Sequence, residues 1–260
     1  ELLSGPARPI VTLARRDDAD LAADLAPGHA TLGVMLPPSP LDYLLFHDAA
    51  GRPAGTAWLE APQRAVWAVA EATAAGRPCR VDDDAAERDL AAVADRVVGD
   101  GRGRVAPAPH SVVQPDRRGT VVVRRGRGLV PETLRLPRAV PAVIALGDGP
   151  AASLCVTRGD AASLSPPLGD PGDAAARRRL GERAGAAPVA VAHDLRPDGP
   201  ATRAARALDL PAFAVQHHHA HLAAVAAEHD HTGPLLGLAL DGGGFGPDGT
   251  VWGGELMEID

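Results

Sequence analysis

Along the first third of the chain, short apolar runs alternate with turn-forming clusters. "RPIVTLARR" (8–16) has the period and β-branched content of a strand, and "DADLAADLAP" (18–27) predicts a short helix. "ATLGVMLPPSPLDYLLFHD" (30–48) predicts a strand, a proline-marked turn and a helix. An Ala-rich stretch over 60–75 predicts a further helix. Residues 84–98 place apolar positions at helical spacing behind an Asp suited to a cap. "SVVQPDRRGTVVVRRGRG" (111–128) has the pattern of a β-hairpin, with Asp116 to Gly119 at its turn.

A change of pattern follows. "LVPETLRLPRAVP" (129–141) is Pro-rich and has no clear period, so it is expected to link two domains, 1–130 and 139–260. Beyond it, residues 142–165 predict two strands around a Gly-rich turn, and 173–185 a helix. "PVAVAHDL" (188–195) predicts a buried strand ending in Asp194, "ATRAARALDL" (201–210) a helix, and "AFAVQ" (212–216) a strand. That strand runs into "HHHAHLAAVAAEH", a helix closed by "DHTGP". "LLGLALDGGGFGPDGTVWGGELMEI" (235–259) predicts a strand, a Gly-rich turn and a strand. The order is mixed α/β throughout, an α/β (α+β) class of fold.

Composition narrows the chemistry. With 45% apolar but only 3% aromatic residues, a core must be built from Ala, Val and Leu. The 260 residues contain no Lys, which closes the Walker-type phosphate loop as a route to nucleotide binding. A net charge of -7 argues against general nucleic-acid binding, although Arg124, Arg125 and Arg127 cluster. Cys79 and Cys155 form neither a CxxC motif nor a disulfide framework, which suits a reducing cytoplasm. No apolar run is long enough to span a bilayer. A first residue other than Met, and a last residue directly after a strand-like run, lead us to expect a chain cut at both ends.

Two local patterns carry candidate chemistry. His217 and His221 are four apart, so on a helix both imidazoles project from one face, one turn apart, and suit a shared Zn or Fe ion. A solvated His-rich turn would have the same spacing, with His218 and His219 pointing elsewhere to contact substrate, orient a ligand or face solvent. The position after an apolar strand is where α/β folds place ligand sites. Asp241 ends the next predicted strand and is followed by Gly242, Gly243 and Gly244, whose backbone N–H groups could approach an anion closely. A loose glycine hairpin is the alternative. Together, a His pair and a strand-end Asp-Gly turn form a metal-plus-phosphate constellation.

At these residues the chain resembles a known family. "VQHHHAHLAAVAAEH" followed by "LGLALDGGGFGPDGTVWGGEL" is similar to the central signature of HypF-type carbamoyltransferases. "VIALG", "CVTRGD", "LGDP", "HDLRPDGPATR" and "LDLPAFAVQHHHAH" follow the family's order, and "RPIVTLARR", "APGHATLGVMLPPSPLDYLL" and "VVVRRGRGLVP" are similar to its YrdC-like domain. The resemblance implies a truncated YrdC-like α/β domain followed by the first lobe of a Kae-like domain of the actin/Hsp70-type ATPase fold. It implies ATP-dependent activation of carbamoyl phosphate as carbamoyl-adenylate, and transfer of the carbamoyl group to the C-terminal Cys of a HypE-like acceptor in [NiFe] hydrogenase maturation. It also implies that His217, His221 and Asp241 ligate a divalent metal, Zn or Fe; Gly242, Gly243 and Gly244 are the expected cofactor-binding positions, from the backbone N–H groups of their turn. An O-carbamoyltransferase of natural-product biosynthesis, or an inactive metal- or nucleotide-binding remnant, are the alternatives.

The chain also departs from the family. Its Thr-Ser-Gly-Asn segment is replaced near 54–62 by "AGTAWLEAP", and its Arg-x-Asp-Asp-Ser-Val by "APAPHSV", which keeps only Ser111 and Val112. Lys-Asn-Thr becomes Ala151, Ala152 and Ser153. Ser-Gln-His-Ile-Gly-Asp becomes Ser165, Pro166, Pro167, Leu168, Gly169 and Asp170. An intact metal motif beside a depleted adenylation motif predicts little carbamoyltransferase activity for this chain alone.

Overall fold

The computed structural model describes residues 1–18, 26–40, 83–91, 94, 109–149, 152–168 and 171–260. Most of the helix expected over 18–27, the one after the Pro-marked turn, the Ala-rich helix over 60–75 and the "AGTAWLEAP" segment lie outside these residues. The chain divides into two compact units, one of residues 1–72 and 109–129, the other of residues 73–108 and 130–260.

The first unit holds a four-stranded sheet in the order β2-β1-β3-β4. β1 (Ile10–Ala14) pairs antiparallel with β2 (Thr31–Val34) and parallel with β3 (Val112–Asp116), which turns back into β4 (Gly119–Arg124). The turn expected at Asp116–Gly119 is present. Asp116 Oδ1 accepts the N–H groups of Arg118 and Gly119 at 2.7 and 2.8 Å, the self-capping that favours Asp at turns. Val11 and Val113, on adjacent strands, are the buried apolar residues of this sheet among those described.

In the second unit, α1 (Asp83–Leu90) carries two acidic residues in its first turn and Arg88 in its last, charges that complement the helix dipole. The five-stranded sheet has the order β5-β7-β6-β8-β9. The Pro-rich segment expected to be a free linker instead supplies β5 (Thr133–Val140), an edge strand antiparallel to β7 (Leu154–Leu164). Pro137 is tolerated there because an edge position leaves room for a residue that cannot donate to the ladder, and the pairing shifts register between Arg135 and Val140. β6 (Val143–Leu146) is antiparallel to β7 and parallel to β8 (Ala190–Asp194), which is parallel to β9 (Ala212–Val215).

Two helices supply the crossovers that parallel pairing requires. α2 (Ala174–Ala184) starts where Asp173 accepts the Ala176 N–H at 2.9 Å and stops at Gly185, whose φ of 61° belongs to the left-handed region. α3 (Pro200–Arg206) starts with proline at its first turn, where no N–H partner is needed. Their buried faces, Ala176 and Leu180 on α2 and Ala201 and Ala205 on α3, cover Ile144, Leu146, Leu154, Val156 and Val191. The core is therefore of the Ala, Val and Leu type that the composition demands.

α4 (His217–Glu228) leaves β9 and packs against β10 (Leu235–Ala239) and β13 (Glu255–Ile259), an antiparallel pair. The approach is close at Gly237: a Cβ there would stand 2.5 Å from Leu222 Cδ2 of α4. The turn expected between these strands contains a small hairpin of its own, β11 (Gly244–Phe245) with β12 (Val251–Trp252). No helix among the described residues is long and apolar enough to cross a membrane.

Candidate metal centre

Parallel strands β6, β8 and β9 end at one edge of the sheet, the edge at which open α/β sheets bind ligands. β8 ends in Asp194 and pairs in register with Val215. Only Gln216 separates Val215 from His217, so the pairing of β9 with β8 brings Asp194 beside the first turn of α4. Gln216 caps that helix: its Oε1 accepts the His219 N–H at 2.8 Å. The same amide then presents Nε2 to His218 Nδ1, 2.9 Å away.

His217 and His221 occupy one face of α4, as their spacing predicts, with Nε2 atoms 3.1 Å apart. Asp241 follows β10, the strand on which α4 rests, and its Oδ2 lies 2.8 Å from His217 Nε2 and 3.8 Å from His221 Nε2. The three residues form the metal-capable cluster of the described residues. Tetrahedral ligands about 2.0–2.1 Å from zinc stand about 3.3 Å from one another, and the three measured separations bracket that value.

The hydrogen bonding also suits a cation. His217 Nδ1 lies 2.6 Å from Asp194 Oδ2. A carboxylate only accepts, so Nδ1 carries the proton and, in the neutral ring, Nε2 directs its lone pair away from Asp194. Asp241 Oδ2 is buried and has no hydrogen-bond donor, although His217 Nε2 is close by. Two facing lone pairs at 2.8 Å repel unless a positive charge lies between them. Burial opposes ionisation of Asp241, but the Gly242 N–H and the imidazoles of His217, His221 and His218 outweigh it and hold the carboxyl below its ordinary range. Two imidazoles and one carboxylate form a donor set suited to Zn or Fe(II) with open positions.

The glycines have structural duties. Gly242 N donates to Asp241 Oδ1 at 2.6 Å and orients that carboxylate. Gly244 lies against α4, where a Cβ would be 2.7 Å from both His217 Cβ and His218 Cε1. His218, which the sequence pattern left as a substrate, orienting or solvated residue, is fully buried and lies parallel to Trp252 with ring centroids 6.4 Å apart. His219 is exposed. Asp194 was missed as a site residue. Its signal was present: it ends a buried strand one crossover before the His motif. A cavity of about 320 Å³ adjoins the cluster, with Gly147, Asp148, His193, Asp194, His217 and His221 among its lining.

Hydroxyls at two of the depleted motifs are occupied within the fold. Ser111 Oγ accepts the Gly126 N–H at 2.9 Å and donates to Arg127 O at 3.0 Å. Ser165 Oγ accepts the Leu154 N–H at 2.8 Å and donates to Pro166 O at 2.7 Å. In the Arg cluster, Arg124 Nε donates to His110 O at 2.9 Å, and Arg127 contacts the His110 ring.

Comparison with known proteins accounts for this pairing of units. Residues 1–126 match a family described as telomere recombination (Sua5, YciO and YrdC), and residues 138–228 match the HypF Kae1-like domain. A YrdC-type unit followed by a Kae1-like unit is thus the class of protein. Carbamoyltransferase HypF2 of Cupriavidus necator is 44% identical across the whole chain, and carbamoyltransferase HypF of Rhizobium leguminosarum bv. viciae is 41% identical. A crystal structure of full-length HypF in the phosphate- and nucleotide-bound form aligns with all of the chain and 40% of its own, with a TM-score of 0.75 and 31% identity. T. kodakarensis HypF aligns with 98% of the chain and 33% of its own, with a TM-score of 0.74 and 30% identity. The chain is homologous over its whole length to HypF carbamoyltransferases, and spans 34% of the length of each of these two curated relatives.

Proposed function

We propose that this chain provides the metal-centred transfer site of a carbamoyltransferase acting in [NiFe] hydrogenase maturation in the cytoplasm. In this reading the protein activates carbamoyl phosphate with ATP as carbamoyl-adenylate, and a HypE-like protein accepts the carbamoyl group on its C-terminal Cys. The convergence of His217 Nε2, His221 Nε2 and Asp241 Oδ2 is the observation that carries the reading. These three residues would hold a Zn or Fe ion. The bound ion would act as a Lewis acid toward a phosphate or carbamoyl oxygen.

The chain's own groups set the remaining conditions. Asp241 supplies one negative charge and is kept ionised by its neighbours. His221, the more exposed imidazole, stands on the cavity side, where an incoming acyl group has access. Gly243, in the turn between Asp241 and β11, is the backbone donor proposed for a phosphate in the absence of a Walker Lys.

Adenylate formation is the weaker part of the site in this chain. The "AGTAWLEAP" and "APAPHSV" replacements remove groups that would position phosphates, and positioning supplies much of the rate of phosphoryl-type reactions.

Two measurements on the 260-residue chain test the proposal. Zinc or iron titration is expected to reach one ion per chain, and His217→Ala and Asp241→Ala to abolish it. Unchanged binding in both variants would overturn the metal assignment. ATP–pyrophosphate exchange dependent on carbamoyl phosphate is expected to stay at the level of those variants. Exchange clearly above them would show that the replaced motifs are dispensable.

A further inference from the structure

We propose that Asp194 is the positioning residue that locks His217 in its metal-binding tautomer; this rests on the metal reading above. The side chain of Asp194 is 10% exposed, and both its oxygens are engaged. Oδ1 accepts the Arg196 N–H at 2.8 Å, in the turn that ends β8. Oδ2 accepts from His217 Nδ1 at 2.6 Å. Its carbonyl accepts from His193 Nδ1 at 2.7 Å. Asp194 is therefore held at three points on the edge of the buried sheet, and it presents one fixed acceptor to the His217 ring.

That acceptor decides which nitrogen of His217 is available. With the proton on Nδ1, the Nε2 lone pair meets His221 Nε2 and Asp241 Oδ2 at 3.1 and 2.8 Å. The alternative tautomer would place an N–H at the common point and leave two lone pairs facing each other at Nδ1. A carboxylate behind an imidazole also makes the ring a stronger donor to a cation. It contributes a second negative charge, so that Asp194 and Asp241 together balance a divalent ion. Asp194 is not one of the three converging ligands, and it acts on the cluster through His217 Nδ1.

Asp194→Asn separates this role from a structural one. The Asn side chain has nearly the same shape, and its oxygen can still accept the Arg196 N–H. Its NH2 group then faces His217 Nδ1, which must become an acceptor, and the ring proton moves to Nε2. In the metal-free 260-residue chain, imidazole nitrogen NMR shifts are expected to report Nδ1–H for His217 and Nε2–H in the variant. Zinc affinity, measured by competition with a chromophoric chelator at fixed neutral pH, is expected to fall about 10–100-fold, the range for loss of such an outer partner. Thermal unfolding of the metal-free variant is expected to match that of the unmodified chain. Wild-type zinc affinity in Asp194→Asn, or an unmoved ring proton, would overturn the role of Asp194 and leave the metal reading standing. No zinc binding by the unmodified chain would overturn the metal reading, and this inference with it.

Discussion

The five-stranded sheet and the β10–β13 ladder both contribute to one cluster of donors, but they are built differently. In the sheet, Leu154, Val156 and Val191 are at most 1% exposed under two helices. In the ladder, Leu236, Leu238 and Leu256 are 70, 59 and 66% exposed, because α4 covers one face alone. Asp194 stands on the first and Asp241 just beyond the second, with α4 and its histidines between. The buried sheet fixes the orientation of His217. The sparser ladder meets α4 closely at Gly237, and the β11–β12 hairpin that follows Asp241 meets it closely at Gly244; together they set how closely Asp241 approaches.

The largest test of this contrast is Leu154→Ala. It removes a buried side chain from the sheet and is expected to cost about 2–5 kcal/mol in equilibrium denaturation. A much smaller loss would mean that the sheet is not the stabilising half.

Next comes Gly244→Ala. Its Cβ meets His217 Cβ and His218 Cε1, so β11 must shift away from α4 at a cost of about 1–3 kcal/mol. Zinc affinity should fall with it, because the loop that carries Asp241 moves. Gly242→Ala, with nothing within 4 Å of the new Cβ, is the matched control and should be near neutral in denaturation. Equal effects of the two substitutions would remove close approach as the reason for a glycine at 244.

On the ladder, Leu238→Ser is expected to change stability by less than about 0.5 kcal/mol, since the side chain is mostly in solvent. A cost comparable with that of Leu154→Ala would show that this face is covered in solution.

The smallest effect concerns Asp248, which ties the β11–β12 hairpin together. The Thr250 N–H, the Trp252 indole and the Thr250 hydroxyl all donate to its carboxylate and lower its pKa from the ordinary value. A depressed carboxyl stabilises the hairpin fully above the ordinary Asp pKa and loses that contribution as pH falls through the folded value. The Trp252 indole N–H signal is therefore expected to change on acidification below the ordinary Asp range, and to show no such step in Asp248→Asn. A step that persists in the variant would assign it to another group.

Much of this architecture follows from local pattern. The strands ending at Ala14, Asp194 and Val215, the hairpin with Asp116 at its turn, and α2 between Asp173 and Gly185 are legible because period and caps are local properties. So is the shared face of His217 and His221, since a helix places residues four apart one above the other. β5 was not legible. Three prolines around it suggest a connector, and only a partner strand, β7, shows that an edge position accepts them.

Other features depended on contacts distant in the chain. His218 lies in a run of histidines that differ only in helical phase. The β11–β12 hairpin, by supplying Gly244 and Trp252, is what makes His218 a buried residue and His219 a solvated one. Asp194 is 23 residues from His217 in sequence, and β8–β9 pairing closes that distance to a 2.6 Å hydrogen bond. The sequence by itself determined which side chains were available and which face of α4 they share, because helical period is set within a few residues. The tertiary structure decided which nitrogen of His217 points at Asp241, because a ring's tautomer depends on the acceptor that another strand places behind it.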